Sequence, residues 1–426
     1  MFIAYAALLA LTTLGSSAYG QIGSEHSLFP ERRREQTRTE PGYVASPVAV
    51  NIPGVGFSYG VVGSIFNIAE TEMDTFFFTA SGDSNGIGLG SLDTPLLGKW
   101  LTFNVFLNKF RGTGLETHRR GIYSNPEDRT IIKLNETQLV LGQITARFWA
   151  KRLQLNLGII ENKGSVDSIL DKDGNVLGKP SAEVSTRLST SLGASIDLTD
   201  DKSDPRDGAQ FEFQYFAPSE GEAGDPKYHI IDYNALYYIP VLESSTWVFN
   251  LFRSDAVVTK KGETDVNVIR ASESLNCDSP LIPDAAKTAC QEKENQAIEE
   301  KLAFNKRGSA SSLGGTLRMR SFVTGRYSSA YASMLGSEFR WNLTDEFTPF
   351  DILVAAGIRT GLQLAFFGEW GTVQEYSSRL TQDIRHSYGV GFRAVIASGF
   401  IFRLDLANGS EGFQPVLFFN YPWFVF

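Results

Sequence analysis

Few residues in this chain are spaced for chemistry, and each candidate set is weak on its own terms. Cys277 and Cys290 have twelve residues between them in a polar stretch. Such a pair can close a loop disulfide or contribute to a metal site, but no histidine lies between residues 230 and 385 to join it. In an exported chain the disulfide is the expectation. His386 stands beside Ser387, yet neighbours on one strand face opposite sides and cannot act as base and nucleophile together. The remaining histidines, His26, His118 and His229, are scattered, so the chain does not read as an enzyme. Gly86, Gly88 and Gly90 have the spacing of a phosphate cradle but open no helix, and they read as sheet glycines. Asp171-Lys172-Asp173-Gly174-Asn175 has the flavour of a calcium loop without its downstream glutamate, which leaves a hairpin turn. No metal and no cofactor is expected.

The charges that call for explanation sit inside apolar alternation. Phe400, Phe402, Leu404 and Leu406 alternate with Ile401, Arg403, Asp405 and Ala407. The same period of two runs through Leu101 to Asn108, Arg152 to Ile159 and Ile231 to Ile239. Segments of this kind, about ten residues long and separated by turn formers such as Asp207-Gly208, are strands with one lipid face and one polar face. Arg403 and Asp405 would be costly in the core of a soluble sandwich, whereas a hydrated lumen accepts them. Aromatic residues near strand ends (Trp247 and Phe249; Tyr421, Trp423 and Phe424) and the terminal Phe426 also favour the membrane reading. Closure into a barrel satisfies the backbone in lipid, which an open sheet cannot do.

The expected fold is therefore all-β, a transmembrane antiparallel β-barrel over residues 53–426. Fourteen strands are clear: 53–68, 71–81, 97–110, 133–149, 151–162, 183–199, 207–217, 227–240, 244–260, 326–343, 357–373, 385–397, 399–408 and 412–425. Weaker segments at 86–92 and 117–124 would raise the count to sixteen, which is the preferred number, with fourteen as the alternative. Ahead of the barrel, the apolar run Phe2 to Leu14 and the small residues after it suggest a signal peptide over 1–20, although no basic residue precedes Arg32. Residues 21–52 read as a solvated periplasmic tail. Residues 261–325 form one long external loop in which Asp284 to Lys306 has helical character, with Asp284 suited to cap it. The 426-residue chain carries a formal charge of −9 and no basic stripe, which argues against nucleic acid as a partner.

Beyond the loop the chain reads Leu313-Gly314-Gly315-Thr316-Leu317-Arg318-Met319-Arg320-Ser321-Phe322, then Gly325-Arg326-Tyr327 and Ser337-Glu338-Phe339-Arg340. This series resembles the bacterial surface antigen family of outer-membrane barrels, to which the BamA and TamA assembly factors and the two-partner-secretion transporters belong. Asp197 to Gly208 resembles that family's mid-barrel Asp-rich turn. Phe367-Gly368-Glu369-Trp370-Gly371 is similar to its Phe-x-Asp-x-Gly strand, with glutamate in place of aspartate. Gly389 to Arg393 and Arg403 to Ala407 resemble its closing strands. Ser321 stands where the family usually has glycine.

The resemblance implies that the long loop folds back into the lumen and that its tip arginine, Arg320, meets Glu338 and Glu369 on the inner wall. A guanidinium fork can hold two carboxylates where lysine could not. It further implies action in outer-membrane protein or lipid assembly through a weak seam between the first and last strands. Pro415 and Pro422, which remove ladder donors from the last strand, agree with that. The family's assembly factors carry periplasmic POTRA modules, for which the stretch from Gln21 to Pro53 has no room. A plugged channel, or a structural barrel with an adhesive surface loop, is the alternative. Expected partners are outer-membrane lipids, the assembly machinery for its own insertion, and a second copy of the chain.

Overall fold

The structure is a computed structural model. It describes residues 42–423 except 179–182, 202–203, 220, 222, 243, 275–276, 278–283, 345–354, 357–359 and 397–399. The expected signal peptide, the tail up to residue 41 and Phe426 lie outside the described residues.

Sixteen strands form one closed antiparallel barrel. In chain order they are β1 (Gly42–Ile52), β2 (Gly56–Ile68), β3 (Met73–Gly82), β4 (Asn85–Leu97), β5 (Leu101–Arg111), β6 (Thr130–Phe148), β7 (Leu153–Leu170) and β8 (Ser185–Asp197). They continue with β9 (Gly208–Ala217), β10 (Lys227–Val241), β11 (Ser245–Lys260), β12 (Tyr331–Asn342), β13 (Thr360–Gln374), β14 (Arg385–Ile396), β15 (Phe400–Gly409) and β16 (Gly412–Phe419). Each strand pairs with its chain neighbour, and β1 meets β16 through Asn51 opposite Leu417. No described helix is long and apolar enough to cross a membrane; the crossing elements are strands.

Side chains alternate as the pattern requires. Leu155, Leu157 and Ile159 on β7, Tyr233 and Tyr237 on β10, and Leu404 and Leu406 on β15 point outward and are exposed. Their neighbours Asn156, Asn234, Arg403 and Asp405 point inward and are buried. An apolar outer band of this extent is what a lipid-facing wall needs. His386 and Ser387 do face opposite sides: Ser387 is buried while His386 stacks on Tyr388 at 6.2 Å. On β4, Gly88 and Gly90 clear space for aromatic rings on the inner wall. A Cβ would fall 2.2 Å from the Phe78 ring and 2.4 Å from that of Phe76. Phe76, Phe106, Phe78 and Phe110 stack there in sequence at 5.9 to 6.1 Å.

Several boundaries depart from the sequence expectations. Residues 42–52 belong to the barrel and not to a tail, because β1 pairs with β2 along its whole length. Small residues and Pro47 hide this strand's period. It lies beside the seam, where a missing ladder donor costs least. The segment 86–92 is part of β4, whereas 117–124 is no strand; only Gly114–Thr117 pairs there. The last strand ends at Phe419, not at 425.

Tight connections such as 69–72, 98–100 and 149–152 lie at one end, and the long stretch 261–330 lies at the other. Short periplasmic turns and long external loops are the rule for outer-membrane barrels, which orients the molecule. Within the long loop lie α1 (Val266–Glu273), capped by the Asp265 carboxylate, and α2 (Asp284–Arg307). A Cys277–Cys290 disulfide ties α2 to the stretch that follows α1.

Candidate functional site: the loop tip inside the barrel

After α2 the chain turns down into the lumen. Gly314 and Gly315 take φ values of +111° and +112°, a region that side chains avoid. A Cβ on Gly314 would lie 2.2 Å from the Val323 carbonyl oxygen. The tip is tied to itself by Gly315 N–H donating to Phe322 O at 2.9 Å and by a bridge between Leu313 and Tyr327. Leu313, Met319, Phe322 and Tyr327 are fully buried against Val248, Phe252, Met334 and Val373 of the wall. Gly371 leaves the space for this, since a Cβ there would lie 2.8 Å from Leu313 and 3.1 Å from the Met319 sulfur.

This packing carries Arg320 into a charged wall. Its backbone N–H and Nε donate to Glu369 at 2.8 and 3.0 Å, and its Nη1 reaches Glu338 at 3.1 Å and Asp405 at 2.9 Å. The guanidinium carbon lies 3.4 Å over the Phe367 ring. The structure thus brings together the three residues named from sequence and adds Asp405 as a third acid. Arg393 clamps Glu338 with two 2.6 Å bonds. Arg340 Nε donates to the same carboxylate at 2.8 Å. Arg403 joins Asp405 at 3.0 Å to the loop carbonyl of Thr316 at 2.6 Å. Four guanidiniums therefore share three carboxylates, leaving one positive charge in excess.

Arg320, Glu338, Glu369, Arg393 and Asp405 have no accessible surface. The expectation of a hydrated lumen is corrected here: loop and wall exclude solvent and the ions pair with one another, while among the described residues Arg320 Nη2, Arg340 Nη1, Arg393 Nε, Arg403 Nε and Asp405 Oδ1 are buried without a hydrogen bond. Breaking such a set by removing one member costs about 3–5 kcal/mol, because the remaining charges stay buried.

The chain end completes the cluster. Past β16 the backbone bends inward, so Tyr421 and Trp423 are buried within the barrel and do not form an aromatic girdle. The Trp423 indole N–H donates to Glu369 at 2.8 Å, its backbone N–H to Leu317 O at 3.1 Å, and its carbonyl accepts from Asn234 at 2.7 Å. Tyr421 OH bonds Gln363 at 2.8 Å and Asp204 of the Asp-rich turn. Asp405, Arg340 and Arg403 enter the sequence reading only as motif residues, and Arg393 and Trp423 carry no role in it, yet all five join the cluster. The inward period of β14 would have pointed to Arg393, while nothing in the sequence signals the bend before Trp423.

A lumen-inserted loop whose arginine engages acids on β12, β13 and β15 decides the family when set beside the sequence match. Residues 75–412 match the family model of the Omp85 superfamily domain. The chain belongs to the Omp85 superfamily. It is accordingly a bacterial outer-membrane β-barrel. Comparison with curated proteins returned no match. Among solved structures, this Omp85 barrel is similar to BamA from Haemophilus ducreyi lacking POTRA domains 1–3. There the identity is 12% and the TM-score 0.43, with 89% of this chain and 68% of that chain covered. It is also similar to CdiB from Escherichia coli, at 11% identity and TM-score 0.44, covering 90% and 60%. CdiB from Acinetobacter baumannii gives 9%, 0.45, and 89% and 58%. The chain spans about three fifths of the length of the two CdiB chains.

Proposed function

We propose that this Omp85 barrel acts in outer-membrane protein or lipid assembly or transport by opening the seam between β1 and β16, while the Arg320 cluster keeps the loop seated. The observation that carries this reading is the seam itself. Neighbouring strands elsewhere pair over long ladders, but β1 and β16 share one position, Asn51 with Leu417. The Asn51 amide adds one bond to Pro415 O at 2.6 Å. Tyr43 and Val44 at the other end of β1 pair with Ala356 and Ala355 and not with β16. In lipid a strand edge left unpaired between these points is expensive, so a wall that tolerates one has a use for it.

The test is a covalent seam. Cysteines at Asn51 and Leu417, oxidised to each other, should abolish growth complementation or barrel insertion into liposomes, with activity restored by reductant. Full activity with the seam closed would overturn the proposal.

A plugged structural barrel is the second reading, favoured by the loop and chain end that fill one side of the lumen. Under that reading the closed seam would leave every phenotype unchanged.

A further inference from the structure

The residues just beyond Arg320 touch both flanks of the seam at its external end. The turn between β1 and β2 accepts a backbone bond, Thr324 N–H to Pro53 O at 3.0 Å. Beside it Gly54 fits against Val323, where an added Cβ would lie 3.1 Å from the valine Cβ. Two residues further on, Arg326 turns to the opposite flank. Its Nε lies 2.9 Å from each oxygen of Glu411, in the turn between β15 and β16, and its Nη2 lies 2.7 Å from Oε1. Tyr327 OH adds a bond to Glu411 at 3.1 Å.

Arg326 is 1% exposed while the Glu411 side chain is 21% exposed, so the pair is partly screened by water from the glutamate side. The rest of its guanidinium holds Ser124 of another external loop, through Oγ and the carbonyl, both at 2.7 Å. That loop in turn bonds Gly54 O through the Glu116 N–H at 2.8 Å.

We propose that residues 323–327 form a clasp across the external end of the seam, fixed to the first hairpin by Thr324 and released from the last hairpin at the Arg326–Glu411 pair. A ladder of one residue pair would let β1 and β16 separate readily. The clasp replaces the missing ladder with side-chain bonds that can be broken without disturbing the other fifteen strand pairings. It is distinct from the Arg320 cluster, which holds the loop to the wall and touches neither hairpin turn at the seam. As a regulator of assembly the clasp rests on the seam reading above, but its test reads the seam directly.

The experiment places cysteines at Asn51 and Leu417 in a Cys277→Ser/Cys290→Ser background and measures the fraction cross-linked after brief oxidation in bilayers. Removing the Asn51 amide makes this seam depend more heavily on the clasp. Arg326→Ala and Glu411→Gln should each lower the cross-linked fraction roughly tenfold, the factor carried by loss of a charge-assisted hydrogen bond. Arg307→Ala, which removes an external arginine pairing with Glu375 at 3.7 Å, should leave it unchanged. Heat-modifiability on the same samples reports folding. If Arg326→Ala fails to fold, the near-isosteric Glu411→Gln decides alone. Cross-linking within about twofold of the parent in the folded clasp variants would overturn the clasp, since a twofold change falls well short of the tenfold that about 1.4 kcal/mol carries. A functional barrel with its seam covalently closed would instead overturn the assembly reading and leave the clasp standing.

Discussion

Arg320 and Trp423 bond the same oxygen, Oε1 of Glu369, at 3.0 and 2.8 Å. The tip of the long loop and the end of the chain, 103 positions apart by residue number, therefore depend on one carboxylate. Displacing either partner changes the electrostatic surroundings of the other.

Arg320→Ala should leave Glu338, Glu369 and Asp405 sharing one cation fewer in a solvent-free site. About 3–5 kcal/mol is the expected cost. The loop should leave the wall, raising single-channel conductance and lowering the temperature at which the barrel unfolds in detergent. Arg320→Lys should recover little, because one ammonium cannot reproduce the fork. Unchanged conductance and melting in both variants would show that the cluster does not hold the loop.

Gly336→Val tests the seat of the chain end. A Cβ on Gly336 would sit 2.6 Å from the Trp423 indole, so valine should expel the ring. The emission difference between parent and Trp423→Phe isolates this tryptophan from the other five. In the Gly336→Val background that difference should shift to the red. A blue, buried-type difference spectrum would mean the ring stays inside.

Gly371→Ala is a milder probe of loop seating. Its methyl would press on Leu313 at 2.8 Å and Met319 at 3.1 Å, an overpacking worth about 1–3 kcal/mol. Limited proteolysis should cut the loop between residues 308 and 330 faster, while the heat-modified shift of the barrel persists. Equal cleavage rates would count against the packing described.

The disulfide should matter locally. Protein alkylated under non-reducing conditions should carry no label at Cys277 or Cys290. Replacing both by serine releases a loop whose closure contributes about 3 kcal/mol to local order. Trypsin should then cut more quickly at Lys287, with barrel melting unchanged. A fall in barrel melting would show that the helical insert supports the wall.

The barrel was legible because lipid imposes a strict period of two, and Leu155, Leu157 and Ile159 announce it plainly. The first strand was not, since Ala45, Ser46, Pro47 and Ala49 carry neither bulk nor polarity enough to mark a face. The charged cluster was half legible. Arg320, Glu338 and Glu369 follow from motif resemblance, but their dryness depends on how Leu313, Met319 and Phe322 pack, which spacing does not encode. Tyr421 and Trp423 fit an outward strand by period, but inside the barrel their polar atoms meet Glu369, Gln363 and Asp204 and Trp423 joins the apolar cluster. The Arg326–Glu411 pair escaped because 85 positions separate its members and neither belongs to an alternating run.

The inward bend at the chain end also sets a schedule. Trp423 bonds Asn234 across 189 positions, and Asn51 bonds Pro415 across 364. Neither contact can form until residues 415 and 423 exist. Distant pairings of this kind are slow to form because loop-closure entropy must be overcome before any contact rewards it. The loop tip and this last described segment complete each other's seats, for Leu317 supplies the carbonyl on which Trp423 rests.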